Sequence, residues 1–293
     1  MDFVVTILEQ GLIYGILALG VYITYKILDF PDLTVDGSFP LGAAVTAALI
    51  TRGMNPYLTV LVSFGAGALA GVCTGLIHVK GKVRDLLSGI IMMTALWTVN
   101  LYIAGTANVP LFSQKTIFKN DWIGKAVPEG LASYTTLLVI FILALICKVL
   151  LDLYLKTKSG YLLRAAGDNE VVVTALAKDQ GNVKILGLSI ANGLVALAGC
   201  IFAQEERVFE ISMGTGAIVI GLASVIIGTS MLKKVSALKG TSAVMIGAVI
   251  YKACVAVAIR NFEPQSMKLI TAVLFLIILI ISMERKSKVK KNA

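Results

Sequence analysis

The sequence predicts an all-α polytopic membrane protein of about 8–9 transmembrane helices with a short or broken second helix, and three observations carry that prediction. Hydrophobic residues fill 57% of the 293 positions and charged residues 15%, a balance outside that of soluble domains. Apolar stretches close to bilayer-crossing length recur along the whole chain, so no segment is left for a sizeable soluble domain. Lys and Arg gather in alternate connections between those stretches, which is how a membrane protein records its orientation. Residues 1–293 are therefore read as a single transmembrane domain.

The apolar runs lie near residues 5–25, 38–51, 56–77, 86–105, 131–151, 185–204, 213–231, 240–259 and 267–283. The first opens on Met1-Asp2-Phe3, without the basic start of a secretory signal and without a convincing cleavage site, and is taken as a retained helix. The second is too short to cross the hydrocarbon layer unaided. With the amino terminus outside, about eighteen of the 26 Lys and Arg residues fall on the cytoplasmic side and seven outside, with Lys252 inside a span. The positive-inside rule thus selects amino terminus out and carboxyl terminus in. The basic tail Glu284 to Ala293 suits anionic membrane lipids. Topology accounts for the net charge of +9, and no nucleic-acid partner is expected.

Between the first and second runs, Pro31 disfavours helix, while Gly37-Ser38 or Pro40 can start one. The chain is expected to unwind here and resume as a half-helix. Irregular backbone at membrane depth survives where it is buried in protein or lines a polar cavity. A helix amino terminus offers unpaired N–H donors and partial positive charge. The stretch Asp32, Thr34, Asp36, Gly37 and Ser38 is accordingly the front of a candidate solute path. The half-helix would receive a carboxylate and Asp32 or Asp36 an ammonium, two groups that occur together in an amino acid. The alternative is that Asp36 and Ser38 simply cap their own helix.

The seventh run, Ile211 to Met231, carries Gly214, Gly216, Gly221, Ala223, Ser224 and Gly228, small residues that permit close helix approach. Gly214, Gly216 and Ser224 complete the candidate path. A small-residue helix, a basic turn and a second glycine-rich helix occur at both 37–81 and 214–239, which suggests a weak internal repeat with a site between the halves.

Catalytic and metal-binding residues are not expected. Cys73, Cys147, Cys200 and Cys254 fall in or at the ends of apolar runs without a CxxC pair, and His78 is expected at the surface beside Lys80, Lys82 and Arg84. There is no GxxxxGK[ST], HExxH or GxSxG motif. Energy for transport would have to come from another subunit or from an ion gradient.

The longest basic loop spans residues 156–184. Its run Ser159-Gly-Tyr-Leu-Leu-Arg-Ala-Ala-Gly-Asp168, together with Asp32-Leu-Thr-Val-Asp-Gly-Ser38 and Met213-Gly-Thr-Gly-Ala-Ile-Val-Ile-Gly-Leu-Ala-Ser-Val-Ile-Ile-Gly228, resembles ABC importer permeases of the branched-chain amino-acid and ribose type. The ordered set is most similar to a subgroup found with extracellular lipoproteins for tryptophan, tyrosine or related molecules. The resemblance covers most of the chain.

It implies a bacterial plasma-membrane permease that pairs with a second copy and moves a small solute, an aromatic amino acid being favoured. It also implies an extracellular substrate-binding lipoprotein, with residues 106–130 as an outer loop able to meet it, and a cytosolic ABC ATPase dimer that binds ATP and Mg in place of this chain. The loop 156–184 would be the coupling loop, docking the ATPase through Arg164, Ala165, Ala166, Gly167, Asp168, Asn169, Glu170, Ala175 and Leu176. Residues Gln204 to Glu210 are more charged than this subgroup's external turn would suggest. An ion-coupled secondary transporter is the alternative, because broken helices and membrane-depth acids suit it equally.

Overall fold

The computed structural model describes residues 2–119, 134–168, 179–231, 239–261 and 267–291. Among them seven helical segments are long and apolar enough to cross a membrane, and Val35–Thr51 and Leu269–Ser282 are shorter apolar helices. The chain is an all-α polytopic membrane protein.

Helix α1 (Asp2–Val21) runs on as a π-helical turn, Tyr22–Ile27. The widened turn closes with Leu28 N–H donating to the Ile23 carbonyl, and Phe30 N–H then reaches back to Thr24. Asp29 takes a left-handed φ of 52°, a conformation that Asp tolerates better than most residues, and Pro31 follows. The break expected from the sequence is therefore made by a π turn, a left-handed residue and a proline in succession.

Helix α2 (Val35–Thr51) starts earlier than the sequence suggested, at Val35 rather than at Gly37 or Pro40, with Thr34 as its N-cap residue. Pro40 lies inside the helix and lacks the N–H that would have bonded to the carbonyl of Asp36, four residues back. That vacated carbonyl is where Gly214 packs, against Asp36 O and the Pro40 ring. Helix α2 is buried along nearly its whole length, from Val35 to Ile50. Protein rather than lipid surrounds it, so its shortness carries no hydrophobic mismatch.

Helices α3 (Pro56–Val79) and α4 (Asp85–Ala104) follow, then strand β1 (Asn108–Pro110), α5 (Thr135–Tyr154), α6 (Lys158–Asp168) and the long α7 (Gln180–Glu206). Strand β2 (Val208–Glu210) pairs antiparallel with β1, Val109 opposite Phe209. A 3₁₀ turn, Ile211–Gly214, leads into α8 (Ala217–Ile226), which ends in a second π turn, Ile227–Met231; α9 (Gly240–Asn261) and α10 (Met267–Lys291) complete the described chain.

Helices α2, α3 and α7 form the inner packing unit. A side chain at Gly42 would collide with the Ala196 carbonyl of α7, and one at Gly199 with the Phe39 carbonyl of α2. Two backbones in direct contact require glycine at both points, the membrane mode of packing in which dispersion between small residues replaces the hydrophobic effect. The outer face of α3, with α4, α5 and α10, leaves Leu61, Leu69, Tyr102, Leu150, Leu276 and their neighbours uncovered, the faces a bilayer would solvate.

The connections collect at two ends. At one, Val79 meets Gly181, Gly167 meets Ile27, Gly187 meets Leu28 and Leu163, and Gly240 meets Tyr22. At the other, the β1–β2 ribbon, Phe3 with Arg260 and Gln10 with Glu206 come together. Lys26 and Arg164, two of the residues assigned by charge to the cytoplasm, lie on elements that meet at the first end.

Two local expectations change. His78 is half-buried: its Nδ1 lies 2.8 Å from the Val83 carbonyl and its ring packs edge-on against Phe30, because the turn after α3 folds back over it. Gln204 is not part of an open turn. It is fully buried, accepts a hydrogen bond from Ile117 N–H at 3.0 Å and donates to Thr59 Oγ1 at 3.2 Å, tying the segment after β1 to α3 and α7.

Candidate functional site

The residues singled out between 32 and 38 fold around one buried network. Asp32 Oδ1 accepts from Thr34 N–H at 2.9 Å, an Asx turn that sets the start of α2. Its Oδ2 accepts from Asn192 Nδ2 of α7 at 2.7 Å, and Asn192 Oδ1 accepts from Ser38 Oγ at 2.7 Å. Thr34 Oγ1 lies 2.9 Å from Thr74 Oγ1 of α3, and Asn100 Nδ2 of α4 donates to the Gly37 carbonyl at 3.1 Å. All the side chains in this network are at most 1% exposed. A carboxylate that deep requires such partners, since desolvation without them would be prohibitive.

Asp36 faces the other half of the chain. Its Oδ2 accepts from Gly216 N–H at 3.0 Å and its Oδ1 from Ile218 N–H at 2.8 Å. Gly216, with φ of 85°, is the residue that opens α8, so one acidic side chain of α2 caps the amino terminus of α8 from across the fold. The sequence reading had Asp36 meeting a ligand or capping its own helix. The structure brings a third use, in which a carboxylate meets two of the orphan N–H groups and the positive end of a neighbouring helix.

Seven of the eight candidate path residues thus share one region: Asp32, Thr34, Asp36, Gly37, Ser38, Gly214 and Gly216. Ser224 lies further along α8 and turns its hydroxyl to its own helix, donating to the Ile220 carbonyl at 2.7 Å. Asn192, Thr74 and Asn100 were missed. Each is a polar residue inside an apolar run, and that placement was the available signal.

Of the coupling residues, Arg164, Ala165, Ala166, Gly167 and Asp168 lie on α6; Asn169, Glu170, Ala175 and Leu176 fall outside the described residues. Helix α6 is amphipathic: Leu163 and Ala166 are buried, while Arg164 and Tyr161 are exposed. Gly167 lets the helix rest directly on the carbonyl of Ile27, within the π turn that precedes the Asp32 network. The exposed face of α6 and the buried network are therefore joined through about six residues of chain, Ile27 to Asp32.

Residues 3–283 match the family model "Branched-chain amino acid transport system / permease component". The chain is 42% identical over 294 residues to the tyrosine transport system permease protein of Clostridioides difficile, covering 100% of this chain and 96% of that protein. It is 26% identical over 228 residues to the ribose import permease protein RbsC of Escherichia coli, covering 77% and 68%. It is 28% identical over 232 residues to the probable branched-chain amino acid transport permease protein LivH of Methanocaldococcus jannaschii, covering 73% and 70%. No solved structure matches it. With a family match across nearly its whole length and an apolar helical bundle to accompany it, the chain belongs to the branched-chain amino-acid and ribose type of ABC transporter permeases.

Proposed function

We propose that this chain forms the translocation path of an ATP-driven importer for an amino acid, with an aromatic amino acid as the favoured cargo. The observation that carries the substrate class is the 42% identity, spread over the whole chain, to a tyrosine transport system permease. In this reading a separate cytosolic ATPase dimer binds ATP and Mg, and an extracellular lipoprotein delivers the solute. Two permease copies enclose the path in a bacterial plasma membrane, with the amino terminus outside and the carboxyl terminus inside.

The geometry supplies a route for coupling. The face of α6 that bears the exposed Arg164 is the surface offered to the ATPase, with Ala165 beside it and Asn169, Glu170, Ala175 and Leu176 following in sequence. Displacement of α6 would press through Gly167 on the π turn at Ile27 and from there on the Asp32–Asn192–Ser38 network. Asp36 would carry the shift to α8 by its hydrogen bonds to Gly216 and Ile218. The path residues Asp32, Thr34, Asp36, Gly37, Ser38, Gly214, Gly216 and Ser224 then lie along the moving seam, Asp32 and Asp36 holding helices in register rather than waiting as free charges.

Affinity purification of the chain from its native membrane in mild detergent tests this. A copurifying ATPase, lost on Glu170→Arg, is expected. Recovery of the chain alone, with uptake that survives ATP depletion and stops when the ion gradient collapses, would instead establish a secondary transporter.

A further inference from the structure

Lys252 stands inside a membrane-crossing helix, α9, with an uneven set of neighbours. Its Nζ lies 3.7 Å from the centre of the Tyr14 ring on α1 and 3.4 Å from Gln10 Oε1 on the same helix. Gln10 Nε2 in turn donates to Glu206 Oε1 at the end of α7, 3.3 Å away. Glu205 and Glu206 both act electrostatically on the Lys252 ammonium, and Glu9, buried on α1, is an electrostatic neighbour of Glu205. Two carboxylates, Glu205 and Glu206, therefore act on one ammonium where α1, α7 and α9 meet, with Glu9 behind Glu205.

The pairing within this group is incomplete. Glu205 Oε2 is buried without a hydrogen-bond partner. Lys252 carries three donors, and among the described residues its hydrogen bond is to Gln10. A purely structural ion pair at this depth would be selected for full satisfaction, because each unpaired charge-bearing atom is penalised by desolvation. Here a buried carboxylate oxygen is left over within the cluster.

The cluster also has a mouth and a floor. Glu206 is exposed, Glu205 and Lys252 are half-buried, Tyr14 is 6% exposed and Phe39 fully buried. Tyr14 stacks on Phe39 with centroids 5.7 Å apart and meets Phe202 edge-on at 5.8 Å. Phe39 is one turn along α2 from Asp36, so the aromatic group connects the charged mouth to the buried network.

We propose that Lys252 and Glu205 form a recognition station for the zwitterionic head of an α-amino acid at the outer end of the path. The solute carboxylate pairs with Lys252, its ammonium with Glu205 Oε2, and its side chain packs against Tyr14 and Phe202. This assignment rests on the amino-acid importer reading and deepens it, by making the permease itself read the head group after delivery.

The test uses the full chain, with its copurifying subunits, in lipid nanodiscs. L-Tyrosine is the probe, with tyramine, which lacks the carboxylate, and N-acetyltyrosine, which lacks the ammonium. Saturation-transfer NMR ranks the three. Wild type is expected to prefer L-tyrosine over both. Lys252→Met is expected to remove about tenfold of the preference over tyramine, Glu205→Gln a similar part of the preference over N-acetyltyrosine, and Lys252→Arg to retain the wild-type ranking. A lock between helices would instead lower the unfolding temperature of Lys252→Met and leave the ranking of both variants unchanged, which overturns the proposal.

ATP-driven L-tyrosine uptake, measured alongside, separates the two readings. Uptake by wild type and equally by Lys252→Met and Glu205→Gln overturns the station and leaves the importer standing. Wild type that moves no amino acid with ATP overturns both.

Discussion

Asp36 and Ile218, 182 positions apart in sequence, are joined by a 2.8 Å hydrogen bond from the Ile218 N–H to Asp36 Oδ1. The other oxygen of the same carboxylate holds Gly216. Helix α2 thus provides the N-terminal cap that α8 lacks in its own sequence, where Gly216 has no side chain to supply one.

Asp36→Ala is expected to lower stability by about 1–2 kcal/mol, as loss of a helix cap does, and to leave two buried N–H groups unpaired. Asp36→Asn, which keeps one acceptor oxygen, is expected to fall between the two. Thermal unfolding of the purified protein in a single detergent checks the order, and equal midpoints for all three would remove the cap from the account.

Asn192 bridges Asp32 and Ser38. Asn192→Leu removes one of the two donors to the buried Asp32 carboxylate, leaving the Thr34 N–H, and is expected to destabilise by about 1–3 kcal/mol, the range for leaving a buried polar group short of a partner. Adding Asp32→Asn to Asn192→Leu is expected to recover part of that loss, because the buried charge is then gone. A double-mutant cycle on unfolding free energy reads this directly; strict additivity would mean that the two side chains are energetically independent.

Gly167 brings α6 onto the Ile27 carbonyl. Gly167→Val is expected to lift the helix and reduce ATP-driven uptake about tenfold, while ATP hydrolysis by the copurified complex stays within about twofold of wild type. Parallel loss of both activities would point to failed assembly rather than failed coupling, and wild-type uptake would exclude this contact from the route.

The two ends of the bundle give the orientation a direct test. In a background with Cys73 and Cys254 replaced by Ala, a membrane-impermeant maleimide added to intact cells is expected to label Asn108→Cys on the β1–β2 ribbon and to spare Lys158→Cys on α6. Reversed labelling would invert the topology inferred from the Lys and Arg distribution.

The membrane class, the interruption around Pro31 and the short second helix were legible in the sequence because they depend on composition and local chemistry. Transfer of an apolar run into hydrocarbon is close to a sum over its residues, and a proline removes a backbone N–H donor whatever its tertiary surroundings. The two glycine-bearing regions were likewise visible as candidates, and seven of the eight residues named there lie close together in the fold. The start of α2 was misplaced by two or more residues because the signal that sets it, the Asp32–Thr34 Asx turn, resembles any other Asp-x-Thr until a buried partner fixes it.

What only the tertiary structure decided is who satisfies whom. Asn192, Thr74 and Asn100 read as isolated polar residues in apolar runs, Lys252 as a stray charge, and Gln204 as part of a charged turn. Each acquires its meaning from an atom far away in sequence: Asp32, Thr34, the Gly37 carbonyl, Tyr14 and Ile117. The sequence by itself determined that the chain crosses a membrane many times and where it must unwind, since burial in lipid is additive along the chain. The pairing of its buried polar groups was decided by the packing, because hydrogen bonds are directional and short-ranged and depend on which helices are brought into contact.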